Sequence, residues 1–318
     1  MEQAGAHADR VAATLASNAA VYSPLAASWN RSARLHGLDA ASRREAERVA
    51  AAEIRRAREK MALTLKAAQS SLDRLFSAVG SVGCCVLLAN AEGISVERRG
   101  AVADDHTFED WGLWTGTCWS EAYEGTNAIG TCLAEERAVT VHRGEHFLAR
   151  NTDLSCMSAP VYDEHGRMAG VLDVSSCRAD LTEAFMGLIS HSVAEAARRI
   201  EAETFRLAFP MSRIVMVPGI ERGATALVAV DADDMVVGAT RNARRALGLD
   251  EDLESRPSPA ADLLGVEGAE SLDRAERAVL MRALAREDGN ASAAAKALGI
   301  SRATLYRKLT RFSISEQG

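Results

Sequence analysis

The sequence contains 318 residues, of which 47% are hydrophobic and 25% are charged, and its formal net charge at pH 7 is −7. This length and composition are typical of two or three globular domains. Because no run of about 18 apolar residues occurs and the first ten residues are mostly polar or small, we expect a cytoplasmic protein with no membrane partner.

The first predicted domain is a helical region, residues 1–62. Apolar spacing from Val11 to His36 predicts helices, and Ser23 followed by Pro24 is typical of a helix N-terminus, with serine as the cap. Apolar residues also recur at helical spacing from Ser42 to Val79. We therefore expect long helices that continue across a domain or subunit boundary.

Residues 63–208 are predicted to form an antiparallel sheet flanked by helices, which makes the expected fold class α+β. Alternating or continuous apolar runs predict strands at Cys84–Ala89, Ile94–Glu97, Ala138–His142, Ser155–Tyr162 and Met168–Ser175. A helix from Leu181 to about Phe205 is expected to close this domain.

A segment rich in aromatic, small and hydroxyl-bearing residues, WTGTCWSEAYEGTNAIGTCL, follows the second predicted strand. Small ligands are held in apolar cavities with a few convergent polar groups. The residues predicted to contact a small-molecule ligand are Trp114, Cys118, Trp119, Tyr123, Asn127 and Cys132. The alternative is that they only pack a loop against a helix.

The six cysteines, Cys84, Cys85, Cys118, Cys132, Cys156 and Cys177, lack zinc-finger spacing, and we expect free thiols. Three kinds of site stay open. Cys118 or Cys156 could act as a nucleophile with His142 or His146 as the base. A metal or haem site could use His142, His146, Cys156 or Cys177. The third is a redox-sensing thiol, against which stands the ordinary case of a buried, inert cysteine.

Residues 209–249 are predicted to form a small α/β segment, and residues 250–270 a polar linker interrupted by prolines. Residues 271–318 are predicted to be entirely helical. A first helix is expected from Leu272 to Arg286, and Asn290 and Ser301 are expected to cap two short helices with a Gly-Ile turn between them, the helix-turn-helix arrangement.

The C-terminal region is basic, in contrast to the rest of the chain. Residues 271–318 hold nine basic and five acidic side chains, and residues 291–312 hold five basic side chains and no acidic one. A polyanion is the expected partner of such a segment. The residues predicted to face DNA are Ser301, Arg302, Ala303, Thr304, Tyr306, Arg307 and Lys308.

The residues N-x-S-x-A-A-x-x-L-G-I-S-R-x-T-L-Y-R-K-L, from Asn290 to Leu309, closely resemble the DNA-binding domain of the Fis family. This resemblance implies a homodimer that binds a pseudo-palindromic site in double-stranded DNA. It also implies DNA contacts at the matching positions Arg302, Thr304 and Lys308. Tyr306 departs from Fis itself, which has a basic residue there.

The residues C-W-S-E-x-x-x-G-T-N-A-I-G-T, from Cys118 to Thr131, resemble the GAF domain of the acetoin-catabolism-regulator group of activators, as do G-E-H-F and G-V-L-D-V-S further on. S-W-x-R-S near the N-terminus fits the same group, and Ala226 to Leu249 resembles part of a PAS-like segment. The resemblance implies a sensory GAF domain over residues 63–208.

Those activators usually carry a central AAA+ ATPase, but the phosphate-binding motif G-x-x-x-x-G-K-[ST] occurs nowhere in this sequence. The implied function is that of a bacterial regulator, not an enzyme, that senses a small-molecule effector and binds operator DNA without ATP hydrolysis. It would act by occupying DNA, by contacting RNA polymerase or by excluding another regulator. The alternatives are an architectural protein that the GAF fold only dimerises, or a thiol or metal redox sensor.

Overall fold

The structure, a computed structural model, describes residues 2–17, 23–178, 180–218, 225–249, 253, 257–265 and 271–312. It consists of two compact units, Met1–Leu264 and Gly265–Gly318. Within the described residues, no helix has the length and apolar character that crossing a bilayer requires.

The N-terminal region forms two helices, α1 (Glu2–Ala16) and α2 (Pro24–Asn30), and α2 continues as a π-helical turn, Arg31–Leu35. The Ser23 side chain accepts a hydrogen bond from the amide of Ala26 and Pro24 lies in the first turn, so the predicted helix start is confirmed. Trp29 and Val11 are buried and pack with Phe147 of the following domain.

The helices predicted from Ser42 to Val79 begin later than expected, with α3 at Ala51–Lys60 and α4 at Ala62–Val79. Residues 42–50 are not helical. The amide of Val49 donates to the carbonyl of Gly116, and the amide of Cys118 donates to the carbonyl of Glu47. Because these tertiary hydrogen bonds hold the segment extended, its helical apolar spacing does not determine its conformation.

A five-stranded antiparallel sheet forms the centre of the next domain. Its strands are β1 (Cys84–Asn90), β2 (Ser95–Arg99), β3 (Val139–His142), β4 (Ser155–Tyr162) and β5 (Met168–Ser176), in the order β2-β1-β5-β4-β3. The predicted antiparallel sheet and its α+β class are confirmed. Gly170 lets β5 approach β1 closely, since a Cβ at this position would lie 1.9 Å from the carbonyl oxygen of Ala89.

Each face of this sheet has its own hydrophobic core. On one face pack α4 and α8 (Glu183–Ala208), around Leu72, Val86 and Ile200. On the other face lie α5 (Asp105–Asp110), α6 (Glu121–Glu124) and α7 (Ala128–Glu135) with their connecting loops. The adjacent Cys84 and Cys85 point into opposite cores, as strand alternation requires.

One end of β4 lies at the edge of the sheet. β3 pairs only with Ser155–Ser158, which leaves the second half of β4 without a neighbour on that side. Pro160 has no amide hydrogen there, and the Tyr162 amide donates to a carboxylate oxygen of Glu201 at 3.2 Å. The open edge is therefore satisfied by a side chain of α8.

A smaller antiparallel sheet follows α8, with strands β6 (Arg213–Met216), β7 (Leu227–Val230), β8 (Met235–Ala239) and β9 (Ser258–Pro259). Helices α9 (Arg241–Leu247) and α10 (Ala260–Leu264) belong to the same unit. Part of the predicted linker 250–270 is therefore regular structure, because β9 pairs with β8. Its other residues lie mostly outside those described.

The C-terminal unit contains three helices, α11 (Leu272–Arg286), α12 (Ala291–Ala297) and α13 (Arg302–Arg311). Asn290 and Ser301 accept hydrogen bonds from the first turns of α12 and α13, which confirms both predicted caps. Gly299 takes a left-handed conformation with φ +66° at the turn between them. The buried residues that join the three helices include Leu280, Ala294, Leu305 and Leu309.

Candidate DNA-binding and effector sites

Helix α13 shows one exposed face in the C-terminal unit. Leu305 and Leu309 are buried against α11 and α12, while Arg302, Ala303 and Arg307 are exposed. The Ser301 hydroxyl accepts from the Thr304 amide at 3.1 Å, so Ser301 and Thr304 sit together at the helix N-terminus. This end of a second helix is the part that reaches base edges in helix-turn-helix proteins.

Tyr306 belongs partly to this face and partly to the core. It packs at the edge of the buried cluster, and the guanidinium of Arg302 lies over its ring, 5.4 Å from the ring centre. The Arg302 Nη2 also donates to the Tyr306 hydroxyl at 3.4 Å. Arg302 and Tyr306 therefore form one planar, amphipathic pair on the exposed side of the helix.

The positive charge of α13 is unevenly compensated. Lys308 is half-buried and forms an ion pair with Glu276 of α11, and Arg311 pairs with Asp273 and, at 3.6 Å, with Glu276. Arg307 makes no ion pair within the part of the chain that the structure describes. Lys308 and Arg311, in the second half of α13, are therefore compensated by carboxylates of α11.

Three of the six residues predicted to contact a ligand lie together in the core that covers the sheet. Trp119 and Cys132 are fully buried there, and the Asn127 side chain donates to the carbonyl of Trp119 at 2.9 Å. The Asn127 side-chain oxygen also accepts from the amide of Gly130, which caps α7. The polar atoms of Asn127 are thus engaged in holding the backbone.

The other three predicted ligand residues lie apart from this group. Trp114 is half-buried under the guanidinium of Arg98, which lies 4.2 Å from the centre of a Trp114 ring. The Cys118 thiol faces the carbonyl of Glu92 at 3.6 Å. Tyr123 is 41% exposed and lies against Arg44. Trp114 connects to the core group through Arg98, which also lies over Phe108 of that core.

The motif around Glu121 has a structural partner that sequence reasoning missed, the S-W-x-R-S segment near the N-terminus. Arg31 donates to both carboxylate oxygens of Glu121, at 2.8 and 2.9 Å. The Ser28 hydroxyl donates to Glu121 at 2.6 Å and lies 2.7 Å from the Thr126 hydroxyl. Glu121 is only 5% exposed. The two motifs are therefore the two sides of one buried polar contact.

A chain of buried polar groups crosses the sheet beneath the same core. Ser158 and Ser175 each donate to Asp173 at 2.6 Å, and Ser175 also lies 3.0 Å from the thiol of Cys156. The Cys156 sulfur lies 3.6 Å from Nε2 of His146. In the sequence, this cluster could have been recognised from Asp173, an acidic residue inside an apolar strand.

Burial controls the ionisation of these linked polar groups. It raises the pKa of Asp173 to about 6 and lowers that of His146 to about 4, while the pKa of the Cys156 thiol is well above its ordinary value for the same reason. The Cys156–His146 contact is thus a neutral pair, and the thiolate needed for nucleophilic attack is disfavoured. His142 lies apart and contacts the Ser155 hydroxyl at 2.7 Å.

The thiols and candidate metal ligands do not assemble into a larger site. Cysteines 84, 85, 118, 132 and 156 are buried and Cys177 is half-buried. Burial raises the pKa of Cys84, Cys85, Cys132 and Cys177 as well. Over the described ranges, no group of three or more His, Cys, Asp or Glu side chains is placed to hold a metal ion. The redox and metal alternatives gain no support from this geometry.

Two family models match the chain. The GAF domain model matches residues 64–200, and the model of the bacterial regulatory protein, Fis family, matches residues 271–312. These ranges contain the five-stranded sheet and the three C-terminal helices described above.

The relatives with established roles are transcriptional regulators and not enzymes. The acetoin catabolism regulatory protein of Cupriavidus necator is 31% identical over 242 residues, which cover 75% of this chain but 36% of the relative. The acetoin dehydrogenase operon transcriptional activator AcoR of Bacillus subtilis is 30% identical over 135 residues, 42% of this chain and 22% of the relative. The chain thus spans well under half the length of either relative.

A solved structure shares the fold. The crystal structure of the Escherichia coli DhaR(N)–DhaL complex matches with a TM-score of 0.51 and 16% sequence identity, over 71% of this chain and 77% of that chain. The two family models and the two relatives above show that the chain has a GAF domain and a Fis-type helix-turn-helix and that the acetoin catabolism regulators are its homologues.

Proposed function

We propose that the chain is a transcription regulator that binds operator DNA as a homodimer through its Fis-type domain and senses a small molecule through its GAF domain. The exposed face of α13, with Arg302 next to the Ser301 cap and Arg307 further along the helix, is the observation that carries the proposal. Positive charge and donor groups at this end of a helix suit contacts with phosphates and base edges. The seven DNA-facing residues named from the sequence remain the proposed contacts.

Selection of genomic fragments by the full-length chain tests the DNA-binding part directly. We expect enrichment of a pseudo-palindromic sequence whose half-sites lie about one helical turn apart. Retention of all fragments in proportion to their length, with no shared sequence, would contradict sequence-specific binding.

A homodimer is supported by the outer face of α8. Residues 184–194 contain no Asp, Glu, Lys or Arg, and the exposed positions Ala184, Gly187, Leu188 and His191 follow one another at helical spacing. Leu188 is 66% exposed. An uncharged, apolar stripe on an otherwise charged surface suits the same stripe of a second copy across a two-fold axis.

For the effector we propose contact with the segment that holds Trp114, Cys118, Trp119, Tyr123, Asn127 and Cys132. Because relatives regulate acetoin catabolism and acetoin dehydrogenase, acetoin is the first compound to test. Operator affinity is measured with and without it. A ligand changes that affinity only to the extent that it binds the two states of the protein differently.

Trp114 is the better position for mutating this site. Trp119 is fully buried, so Trp119→Ala is expected to cost about 3 to 5 kcal/mol of stability and would confound the result. Trp114 is half-buried, and Trp114→Ala should abolish the effect of the compound while leaving unliganded affinity near wild type. Trp111→Ala, at a neighbouring half-buried tryptophan, is the matched control.

The second candidate is an architectural protein whose GAF domain only dimerises it. The close packing of Trp119, Cys132 and Asn127 in the core favours this candidate. It predicts that acetoin and related metabolites never change operator affinity, although the protein binds DNA as a dimer.

The absence of a phosphate-binding loop from the sequence supports regulation without ATP hydrolysis. Purified protein is expected neither to hydrolyse ATP nor to change its operator affinity when ATP is added. Hydrolysis that co-purifies with the protein and vanishes in a point variant would contradict this part of the proposal.

A further inference from the structure

A groove of about 600 Å³ runs between α4 and α8 and is closed on a third side by β6 and β7. It lies on the face of the five-stranded sheet opposite to the proposed effector segment. Its charged lining residues are Lys66, Arg74, Arg198, Arg199, Arg206, Glu195 and Glu203. A volume of this size falls within the range of small-molecule sites, about 300 to 1,000 Å³.

The charge of this groove is opposite to that of the protein. Five basic and two acidic side chains line it, although the whole chain has a net charge of −7. Glu195 is paired with Arg198 at 2.7 Å and with Arg199 at 3.7 Å, and Glu203 with Arg206 at 3.7 Å. Both carboxylates are therefore already occupied by arginines.

Two cations of the groove remain without a carboxylate. Lys66 and Arg74, about two turns apart on α4, form no ion pair with any residue that the structure describes. The Arg74 guanidinium donates a hydrogen bond to the Ser70 hydroxyl at 3.4 Å. Like charges gathered on two helices repel each other, and a bound anion would remove this repulsion.

The floor of the groove is apolar. Ala67, Ala202 and Leu227 are buried beneath it, and Met216 is 73% exposed at its rim. A ligand with an organic body could cover these groups while its charges meet the basic side chains. A bare inorganic ion would leave the floor uncovered.

We propose that this groove binds a small organic anion with two or more negative charges, such as a polycarboxylate or a phosphate ester. DNA fits the groove less well than a small anion does. The third wall, formed by β6 and β7, closes the groove on one side, whereas a continuous DNA backbone needs an open path along the surface. The site is independent of the proposed effector segment and of operator binding.

Isothermal titration of the full-length protein at low ionic strength provides the test, with citrate and glycerol 3-phosphate as probes. We expect both to bind with dissociation constants below about 1 mM, and to bind more weakly as salt screens the contacts. Replacing both unpaired cations, Lys66→Gln with Arg74→Gln, should weaken binding about tenfold or more.

The control carries the same change of charge outside the groove, at Arg55→Gln with Arg56→Gln on the exposed side of α3. It should bind both probes like wild type. A preference for citrate would identify the ligand as a carboxylate, and one for glycerol 3-phosphate as a phosphate ester. Circular dichroism checks that each variant is folded. The single substitution Lys66→Glu should also weaken the binding of both probes.

The proposal is overturned if neither probe binds at about 10 mM, or if the groove variant and the control bind alike. It is also overturned if the groove proves to be a DNA surface. To test this, the groove substitutions are added to a protein that already carries Arg302→Ala and Lys308→Ala. A DNA surface would appear as weaker binding of non-operator duplex than by the protein with Arg302→Ala and Lys308→Ala alone.

Discussion

Burial of Asp173 couples the stability of the GAF domain to pH. Its pKa is about 6 in the folded protein and about 3.9 in an unfolded chain, so the folded state binds this proton more tightly. The resulting contribution to stability is complete below about pH 4 and is lost as the pH rises through 6. A shift of this size corresponds to about 3 kcal/mol.

Asp173→Asn should remove this dependence. We expect the unfolding free energy of the variant, relative to wild type, to rise by up to about 3 kcal/mol between about pH 4 and pH 7, measured by urea denaturation. The contribution of His146 to the pH dependence has the opposite sign, because its lowered pKa contributes stability that is lost as the pH falls. Both proteins contain His146, so this contribution cancels in the difference between them. Asp153→Asn, at an exposed position, is the control, and parallel pH profiles for wild type and Asp173→Asn would refute the expectation.

Arg302 is the residue on which base recognition should depend most. Arg302→Ala is expected to weaken operator binding by about 1 to 3 kcal/mol and to relax the preference at one base pair per half-site. Gel-shift titrations over a set of single-base operator variants measure both effects. Wild-type affinity in Arg302→Ala would remove this side chain from the reading face.

Lys308 presents a different case, because its ammonium group is paired with Glu276. A phosphate must share or displace that carboxylate, so Glu276→Gln should strengthen binding to all sequences, and Lys308→Ala should weaken it for all of them. If the gain in DNA affinity arises through Lys308, Glu276→Gln should raise the affinity little in a protein that also carries Lys308→Ala. An equal gain in both backgrounds would indicate general electrostatics instead.

At the scale of elements, the contact between the S-W-x-R-S segment and Glu121 holds the N-terminal helices on the GAF domain. Arg31→Met leaves a nearly buried carboxylate without its cation, and we expect a loss of about 2 kcal/mol, moderated by the partial exposure of Arg31. Tryptic cleavage after Arg43, Arg44 or Arg48 should accelerate. Arg34→Met, one turn further on, is the control, and equal cleavage of both variants would show that the ion pair contributes little.

Many elements could be predicted from the sequence because their signals are local. For strand β4 and helix α11, the first and last residues were both predicted correctly. The signal was apolar alternation for the strand and helical apolar spacing for the helix. Residues 42–50 were predicted wrongly, since hydrogen bonds to residues 116–118 override their helical spacing. The strand β9 has two residues, too few for any periodic signal.

The candidate DNA-contacting residues could be proposed from the sequence because one element carries them all. The face of α13 is contiguous in sequence, so its charge and caps could be recognised together. Ser28 and Glu121, by contrast, lie 93 positions apart, and no local pattern joins them. The segment from Trp114 to Leu133 was interpreted as a ligand wall, but part of its composition serves this docking contact and the cap of α7.

At the scale of the whole molecule, dimerisation should depend on the uncharged stripe of α8. Leu188→Glu places a charge at its centre and is expected to shift the protein toward monomer, as measured by analytical ultracentrifugation. Val102→Glu changes an even more exposed apolar residue elsewhere in the domain and should leave the oligomeric state unchanged. Operator affinity should fall together with dimerisation, and a Leu188→Glu variant that stays dimeric would move the interface elsewhere.

The long separation between Ser28 and its partners also orders the events of synthesis. Helices α1 and α2 leave the ribosome first, but Glu121, Thr126 and Thr131 are made about a hundred residues later. The sheet itself closes only when β5, its central strand, pairs with both β1 and β4. Because Thr131 lies on α7, which packs on this sheet, we expect the N-terminal helices to dock after the sheet is complete. Pulsed hydrogen exchange during refolding should then protect the amides of β1 and β5 before those of α2.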